Sequence, residues 1–438
     1  MDRRKFLKTS AIGVIGLASS AVVAPDAEAS EPAAAKARQR LETDKGFVRE
    51  PAHKVAVIDS ADVVVVGGGP AGFAAAVAAA RQGCDVIILE RGYFLGGLFT
   101  GCDVTLLNNM YTPTPSGRVQ AVYGLCDELC RKLESAGMLS WPDTPPNVDT
   151  EATKYFMERM CVDAGVRILY GAQAADVKMK GDAIDCIFVE THSGRMAIKA
   201  KFVVDCTGDG DILFWTGEDF TEYKYDISAM YRVGGLVDVK KGWTTPHAGV
   251  RTLHLGSGIK GVDGLDPYVA TDAQIRLRQE MWDKVQELRR APGSEGAFLL
   301  STPSVVGVRV SRVLNSVFNV TTEGAMSGAV YKDAIGFTGA DSEMKWNGTK
   351  VNRKNRPMWQ VPYRSLVPKT VPNLLVAGRC FGYEQALRYD AREVGTCILT
   401  GEAAGIAAAQ AVTRRVSCRD VDVDLLRSEL RKAGAKLD

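Results

Sequence analysis

Asp62-Val63-Val64-Val65-Val66-Gly67-Gly68-Gly69-Pro70-Ala71-Gly72 is the stretch from which the fold can be read. The β-branched run closed by three glycines has the pattern of a strand buried on both faces of a parallel sheet. Gly67 to Gly72 fits G-x-G-x-x-G. Gly67 permits the tight turn off the strand, Gly69 lets the backbone approach a pyrophosphate, and Gly72 lets the next helix sit against the strand. That helix is expected from Ala71 to Gln82. Its first turn, with Pro70 and Ala71, offers free N–H groups and the positive end of the helix dipole to phosphates. A second buried strand, Val86 to Leu89, ends at Glu90, which is placed to accept hydrogen bonds from a ribose hydroxyl pair. Strand, glycines, helix, strand and acid in that order predict a dinucleotide site.

Working outward, Thr150 to Ala164 has a helical pattern and Arg167 to Tyr170 that of a strand. A β meander follows through Ala174 to Val189 and Met196 to Lys199. Phe202 to Gly208 then reads as a buried strand running into a Gly/Asp-rich turn. Between Glu218 and Pro368 the pattern changes to mixed strands, Gly-rich loops and one charged helix, Asp272 to Arg290. Asn373 to Gly378 returns to a buried strand, and Gly395 to Val412 is an Ala/Gly-rich helix of the kind that packs close to a sheet. The expected class is α/β. A Rossmann-like, three-layer, mostly parallel cofactor domain (61–217 and 366–438) is interrupted by a mixed α+β substrate domain (218–365), and a tether (30–60) precedes it.

The choice of dinucleotide rests on resemblance. Glu90-Arg91 followed by Gly96-Gly97 resembles the Glu-Arg…Gly-Gly signature of flavoproteins with the two-dinucleotide-binding, glutathione-reductase-like fold. There the second glycine pair lies near the flavin-side phosphates. Cys206-Thr207-Gly208 resembles their turn beside the adenosine, and Asn373 to Cys380, with Gly378 and Arg379, resembles the strand that delivers the ribityl chain of FAD to the next helix. Val361-Pro362-Tyr363-Arg364, Asn373 to Cys380, Arg392, Thr396-Cys397 and Gly401-Glu402-Ala403-Ala404-Gly405 together resemble an FAD-dependent oxidoreductase family, more distantly the flavoprotein subunits of fumarate reductases and succinate dehydrogenases. The resemblance implies bound FAD, with Thr396 and Cys397 among its contacts. Two positions depart from it: Gln385 stands where a His is common and Val310 where a Glu is common, which implies a different substrate or proton donor.

A second G-x-G-x-x-G, Gly256 to Gly261, precedes Val262-Asp263-Gly264-Leu265-Asp266-Pro267, whose Asp, Gly and Pro oppose a helix start. It is expected to be a loop, which makes a nicotinamide nucleotide a poor electron partner. The ionisable run Tyr383 to Glu393 lies just before the last helix. Arg392 suits an anion anchor because a planar guanidinium matches a carboxylate, and Glu384 and Tyr389 are acid/base candidates. The alternative is a solvated loop closed by local ion pairs. Arg309 and Arg312 are cations of the sort that stabilise a reduced flavin. His247 and His254 are proton-transfer candidates, with a structural role as the alternative. Cys102 has no nearby CxxC partner, which argues against a disulfide-reductase mechanism.

Arg3-Arg4-Lys5-Phe6-Leu7-Lys8, the apolar run Ala11 to Ala24 and Ala27-Glu28-Ala29 resemble a twin-arginine signal peptide (1–29) cleaved after Ala29. Such a signal implies passage through the twin-arginine export machinery and a periplasmic or other extracytoplasmic location. In 438 residues, 54 Lys and Arg against 52 Asp and Glu give a net charge of +2, with no basic cluster beyond the first eight positions. Nucleic acid is therefore not an expected partner. The ten cysteines show neither a CxxCH haem site nor paired CxxC zinc ligands, and no metal is expected. The expected activity is hydride transfer between a small organic substrate and FAD, with electrons exchanged with a quinone or cytochrome. A flavin monooxygenase and a non-catalytic electron-relay subunit are the alternatives.

Overall fold

The computed structural model describes residues 48, 50–141, 145–236, 242–256, 258–340 and 343–437. The expected signal peptide and most of the tether, residues 1–47, lie outside the described residues.

The glycine fingerprint sits at the centre of a seven-stranded sheet. The first strand, Ala56–Val66, starts ahead of Asp62 and pairs in parallel with Val86–Glu90 on one side and Gly194–Asp205 on the other. Arg167–Tyr170 extends the sheet in parallel beyond Val86–Glu90, and Leu374–Val376, far along the chain, adds in parallel beside Val203, Val204 and Asp205. The long strand Gly194–Asp205 divides its edge away from Ala56–Val66 between two partners: its last residues meet Leu374–Val376, and its first half pairs antiparallel with Ala183–Thr191, which in turn pairs with Gln173–Lys180.

Burial on both faces follows from the period-2 alternation of side chains. Val63, Val65, Ile88 and Val204 pack into one core with the helices Pro70–Arg81 and Val394–Arg414. Val64, Val66, Ile87, Leu89 and Val203 pack into another, completed by Val177, Ile187 and Val189 of the meander and by Leu374. The Ala/Gly-rich helix was expected against the sheet, but its closest approach is to the fingerprint helix. A Cβ on Gly401 would lie 2.1 Å from the Ala71 carbonyl oxygen, and one on Gly405 would lie 2.2 Å from that of Ala75. Two helices backbone to backbone leave no room for a side chain, which is why this helix is built from glycine and alanine.

Residues 227–308 hold a third core. The helix Pro267–Leu288 lays Ala273, Leu277, Met281 and Val285 on a sheet ordered Trp243–Thr244, Arg251–His254, Met230–Gly234, Phe298–Ser301. Trp359 and Val361, also within the expected substrate domain 218–365, belong to the first core instead. The fold corrects two sequence expectations. Ile259–Val262, expected in a loop, is a short strand paired with Tyr225–Ile227. Asp266-Pro267, expected to oppose a helix, starts one: the Asp266 carboxylate accepts from the N–H groups of Tyr268 (2.8 Å) and Val269 (3.1 Å), while Pro267 occupies the first helical position. Asp at the cap and Pro just inside it favour initiation.

Candidate FAD and substrate cleft

A cleft of about 600 Å³ opens at the C-terminal ends of the parallel strands, where ligands of open α/β sheets bind. Its floor is the glycine turn. The Gly67 N–H donates to the Leu89 carbonyl (2.8 Å), and the residue takes φ +99. A Cβ on Gly72 would lie 1.8 Å from the Gly67 oxygen, so Gly72 seats the helix on the strand end and does not line the cleft. Gly69, Pro70 and Ala71 do line it. Gly69 has no side chain to cap the helix, and its carbonyl accepts the first helical bond from Phe73 (2.9 Å). The N–H of Ala71, in the cleft wall, is thus left for an anion.

Glu90 closes one side. Its carboxylate accepts from the N–H groups of Gly68 (2.8 Å) and Gly92 (2.7 Å), which fixes it in the wall beside Arg91, Ala172 and Gln173. Gly97 lines the cleft next to Gly69. Gly96 does not; its N–H donates to the Gly68 carbonyl (2.7 Å) and builds the turn.

Across the sheet the second turn, Thr207-Gly208-Asp209, meets Gly378-Arg379. The buried Asp205 carboxylate organises this turn, accepting from the Thr207 N–H (3.0 Å), the Thr207 hydroxyl (2.7 Å) and the Leu213 N–H (2.9 Å). Burial pushes its carboxyl up. Arg379 pairs with Asp209 (Nη2–Oδ1, 2.7 Å), and Asp209 also accepts from the Ser311 hydroxyl (2.6 Å). Burial alone would raise Asp209, but the Arg379 charge and these hydrogen bonds hold it below the usual carboxylate range. Asp211 behind it is pushed up to about 6 by burial and by the charges of Asp209 and Asp205. Arg312, a sequence candidate for a flavin-side cation, donates to the Asp209 carbonyl (3.0 Å) and Asp211 (3.1 Å) and is absent from the cleft wall. The Arg379 Nη1, buried in the wall, has no partner among the described residues. An orphaned guanidinium N–H beside a glycine cradle and an unpaired helix N-terminus is a donor set suited to the phosphates and ribityl hydroxyls of FAD.

The other end carries Ser228, Trp243, His254, Arg309, Arg392, Glu393 and Cys397. Arg392 pairs with Glu393 (3.1 Å), whose carboxylate accepts from Asn108 (2.9 Å). Arg309 donates to Ser228 Oγ (3.0 Å) and lies 3.1 Å from His254 Nε2. Burial pushes the Cys397 thiol up to about 12, and the thiol donates to the Arg392 carbonyl (3.3 Å). Thr396 is not in the wall: its hydroxyl donates to the Asp390 carbonyl (2.8 Å) and contacts Thr338.

Three sequence candidates stand elsewhere. Glu384 is exposed and accepts from the Thr322 N–H (2.7 Å), so it caps a neighbouring helix start. The Tyr389 hydroxyl meets that of Tyr225, and its ring lies under the guanidinium groups of Arg388 (4.7 Å) and Arg392 (5.7 Å), supporting Arg392 from behind. His247 pairs with Asp149 (3.0 Å) outside the cleft. His254 is the histidine in the wall. Ser228, in an apolar string, carried no sequence signal. Among the described residues no group of His, Cys, Asp or Glu is placed to hold a metal ion.

The family model for FAD dependent oxidoreductases matches residues 62–226 and 220–430. A thiamine thiazole synthase of Methanococcus vannielii is 31% identical over 159 residues, 34% of this chain and 56% of the relative. A dihydrolipoyl dehydrogenase of Haloarcula marismortui is 32% identical over 124 residues, 27% of this chain and 24% of the relative. The chain thus spans about half, or less, of the length of these curated relatives. Among solved structures, a geranylgeranyl bacteriochlorophyll reductase-like protein of Thermoplasma acidophilum superposes with a TM-score of 0.45 at 14% identity, covering 85% of this chain and 83% of the other.

Proposed function

We propose, from the premise that the chain belongs to the FAD dependent oxidoreductase family, that it transfers a hydride between FAD and a small organic substrate at the Arg309–Arg392 end of the cleft. It then exchanges electrons with a separate carrier, a quinone or a cytochrome. The observation that carries this reading is that the glycine cradle and the Ser228–His254–Arg309–Arg392 cluster line one continuous cleft. Bound FAD supplies the hydride acceptor or donor. The N–H groups at the start of Pro70–Arg81 and the Arg379 Nη1, unpartnered among the described residues, would hold phosphate and ribityl oxygens, and Glu90 would hold a ribose. Arg392, steadied by Glu393 and the Tyr389 ring, orients the substrate, while Trp243 and Val305 to Val308 exclude water from it. The Arg3-Arg4 segment supports export through the twin-arginine machinery to the periplasm, with FAD loaded before transport.

Anaerobic screening of the purified protein tests the reading. Hydroxy acids, sugars, amines and steroids are scored for flavin bleaching, and enoates for reoxidation of dithionite-reduced flavin. At least one class is expected to react without a partner protein. A flavin inert to every class but reducible by a quinol or a reduced cytochrome would replace the enzyme with an electron relay.

A further inference from the structure

The substrate end of the cleft holds a hydrogen-bond arrangement whose donors and acceptors can be counted. Ser228 is buried and held from several sides. Its N–H donates to the Gly307 carbonyl (3.1 Å), and Ile227 bridges Val308. A Cβ on Gly307 would lie 1.9 Å from the Ser228 carbonyl oxygen. The hydroxyl oxygen lies 3.2 Å from His254 Nε2 and 3.0 Å from Arg309 Nη2.

The Gly256 N–H donates to His254 Nδ1 at 3.0 Å, so Nδ1 carries the lone pair. A neutral imidazole has one such nitrogen, which leaves the proton on Nε2. Burial, with the charges of Arg309 and Arg392, lowers His254 to about 4 and keeps it neutral near pH 7. A guanidinium only donates. With its proton on Nε2, His254 cannot accept from Arg309 Nη2 3.1 Å away. One Nη2 proton faces the Gly256 carbonyl at 3.5 Å, the other and the Nε2–H both point at the Ser228 oxygen, and the hydroxyl's own proton is turned away from them. Among the described residues no acceptor takes that proton. Beside it two cations, Arg309 and Arg392, line the same end of the cleft, and Glu393 is the carboxylate paired with Arg392.

We infer, resting on the proposed use of this end of the cleft, that the Ser228 hydroxyl donates a hydrogen bond to the substrate, and that the receiving group is a carboxylate lying between Arg309 and Arg392. His254 does not touch the substrate in this arrangement; it is a positioning residue that turns the hydroxyl.

The test uses the FAD-loaded protein, with benzoate and crotonate as probes and benzamide and crotonamide as neutral counterparts, read by the flavin difference spectrum. The acids should give saturable spectra and the amides should bind far more weakly. Ser228→Ala should raise the benzoate Kd about 10- to 100-fold, the loss of one hydrogen bond to a charged group. Flavin content should be unchanged, Tm should fall modestly because two buried donors lose the Ser228 oxygen, and Ser228→Thr should move both the Kd and the Tm back toward those of the wild type. An unchanged Kd in Ser228→Ala, with benzoate binding abolished by Arg392→Ala, overturns the role of Ser228 and leaves the substrate end where it is placed. Acids that leave the flavin spectrum unmoved, in a protein whose flavin a neutral substrate bleaches, overturn the carboxylate and leave the hydride-transfer reading standing.

Discussion

Replacing Arg379 by Met separates what the buried pair does for the fold from what it does for FAD. Arg379 and Asp209 lie 2.7 Å apart with side chains 12% and 17% exposed, and Ser311 is the other side-chain donor bonded to the Asp209 carboxylate. Removing the guanidinium strands a buried carboxylate, which costs on the order of 3–5 kcal/mol. Replacing both partners, as Arg379→Met with Asp209→Asn, removes the stranded charge and should restore most of that loss. The cofactor behaves differently. Arg379 Nη1 is buried in the cleft wall without a protein partner among the described residues, and a hydrogen bond from a charged donor is worth about 1.5–3 kcal/mol. Both the single and the double variant should therefore bind FAD roughly 10- to 100-fold more weakly. Thermal unfolding at several FAD concentrations separates the two effects, because ligand binding makes Tm depend on concentration. Equilibrium dialysis then gives the FAD Kd directly. A double variant that regains full FAD affinity would show that Arg379 serves only the fold. A single variant within about 1 kcal/mol of wild type in stability would refute the buried-pair reasoning.

Gly72→Ala places a methyl 1.8 Å from the Gly67 oxygen; overpacking of this kind costs about 1–3 kcal/mol, and because the strain falls on the phosphate turn the variant should purify depleted of flavin, checked by its absorbance ratio. Glu402, buried and donated to by the Leu125 N–H (3.1 Å), is pushed up by burial to about 8 from 4.5. The folded protein therefore holds this proton more tightly than the unfolded chain, so the contribution of Glu402 to stability is full below pH 4.5 and is lost as pH rises toward about 8. Denaturant titrations from pH 5 to 9 should show that downward slope flattened in Glu402→Gln; identical slopes would count against it. Glu384→Gln and His247→Ala, outside the cleft, should leave the rate of flavin reduction by any substrate found in the screen within about twofold, because surface changes away from a site are usually near neutral. A tenfold loss in either would put proton transfer back on those residues.

The parts of this protein legible in its sequence are those whose cause is local. The run Asp62 to Gly72 announces a strand, a turn and a helix start because each needs a residue type at a fixed offset, and the acid at Glu90 follows from the length of one βα unit. The misplaced helix start at Asp266-Pro267 was also legible, since Asp before Pro is a cap followed by a first-turn residue; the neighbouring glycines masked it. The Gly401 and Gly405 spacing shows close packing but not its partner, because a bare backbone accepts a strand or a helix equally well.

The site beyond the dinucleotide turn was decided by tertiary structure. Arg379 meets Asp209 only because Leu374–Val376 inserts beside Gly194–Asp205, across most of the intervening chain. His254 and not His247 enters the cleft because the register of Arg251–His254 against Met230–Gly234 sets His254 opposite Met230, at the end of the sheet next to Ser228. Ser228, a small polar residue among apolar neighbours, gains its meaning from a histidine and an arginine that reach it from two other segments. A glycine turn carries its geometry in consecutive residues, whereas a donor and an acceptor from distant segments acquire their relation only when the strands that bear them pair.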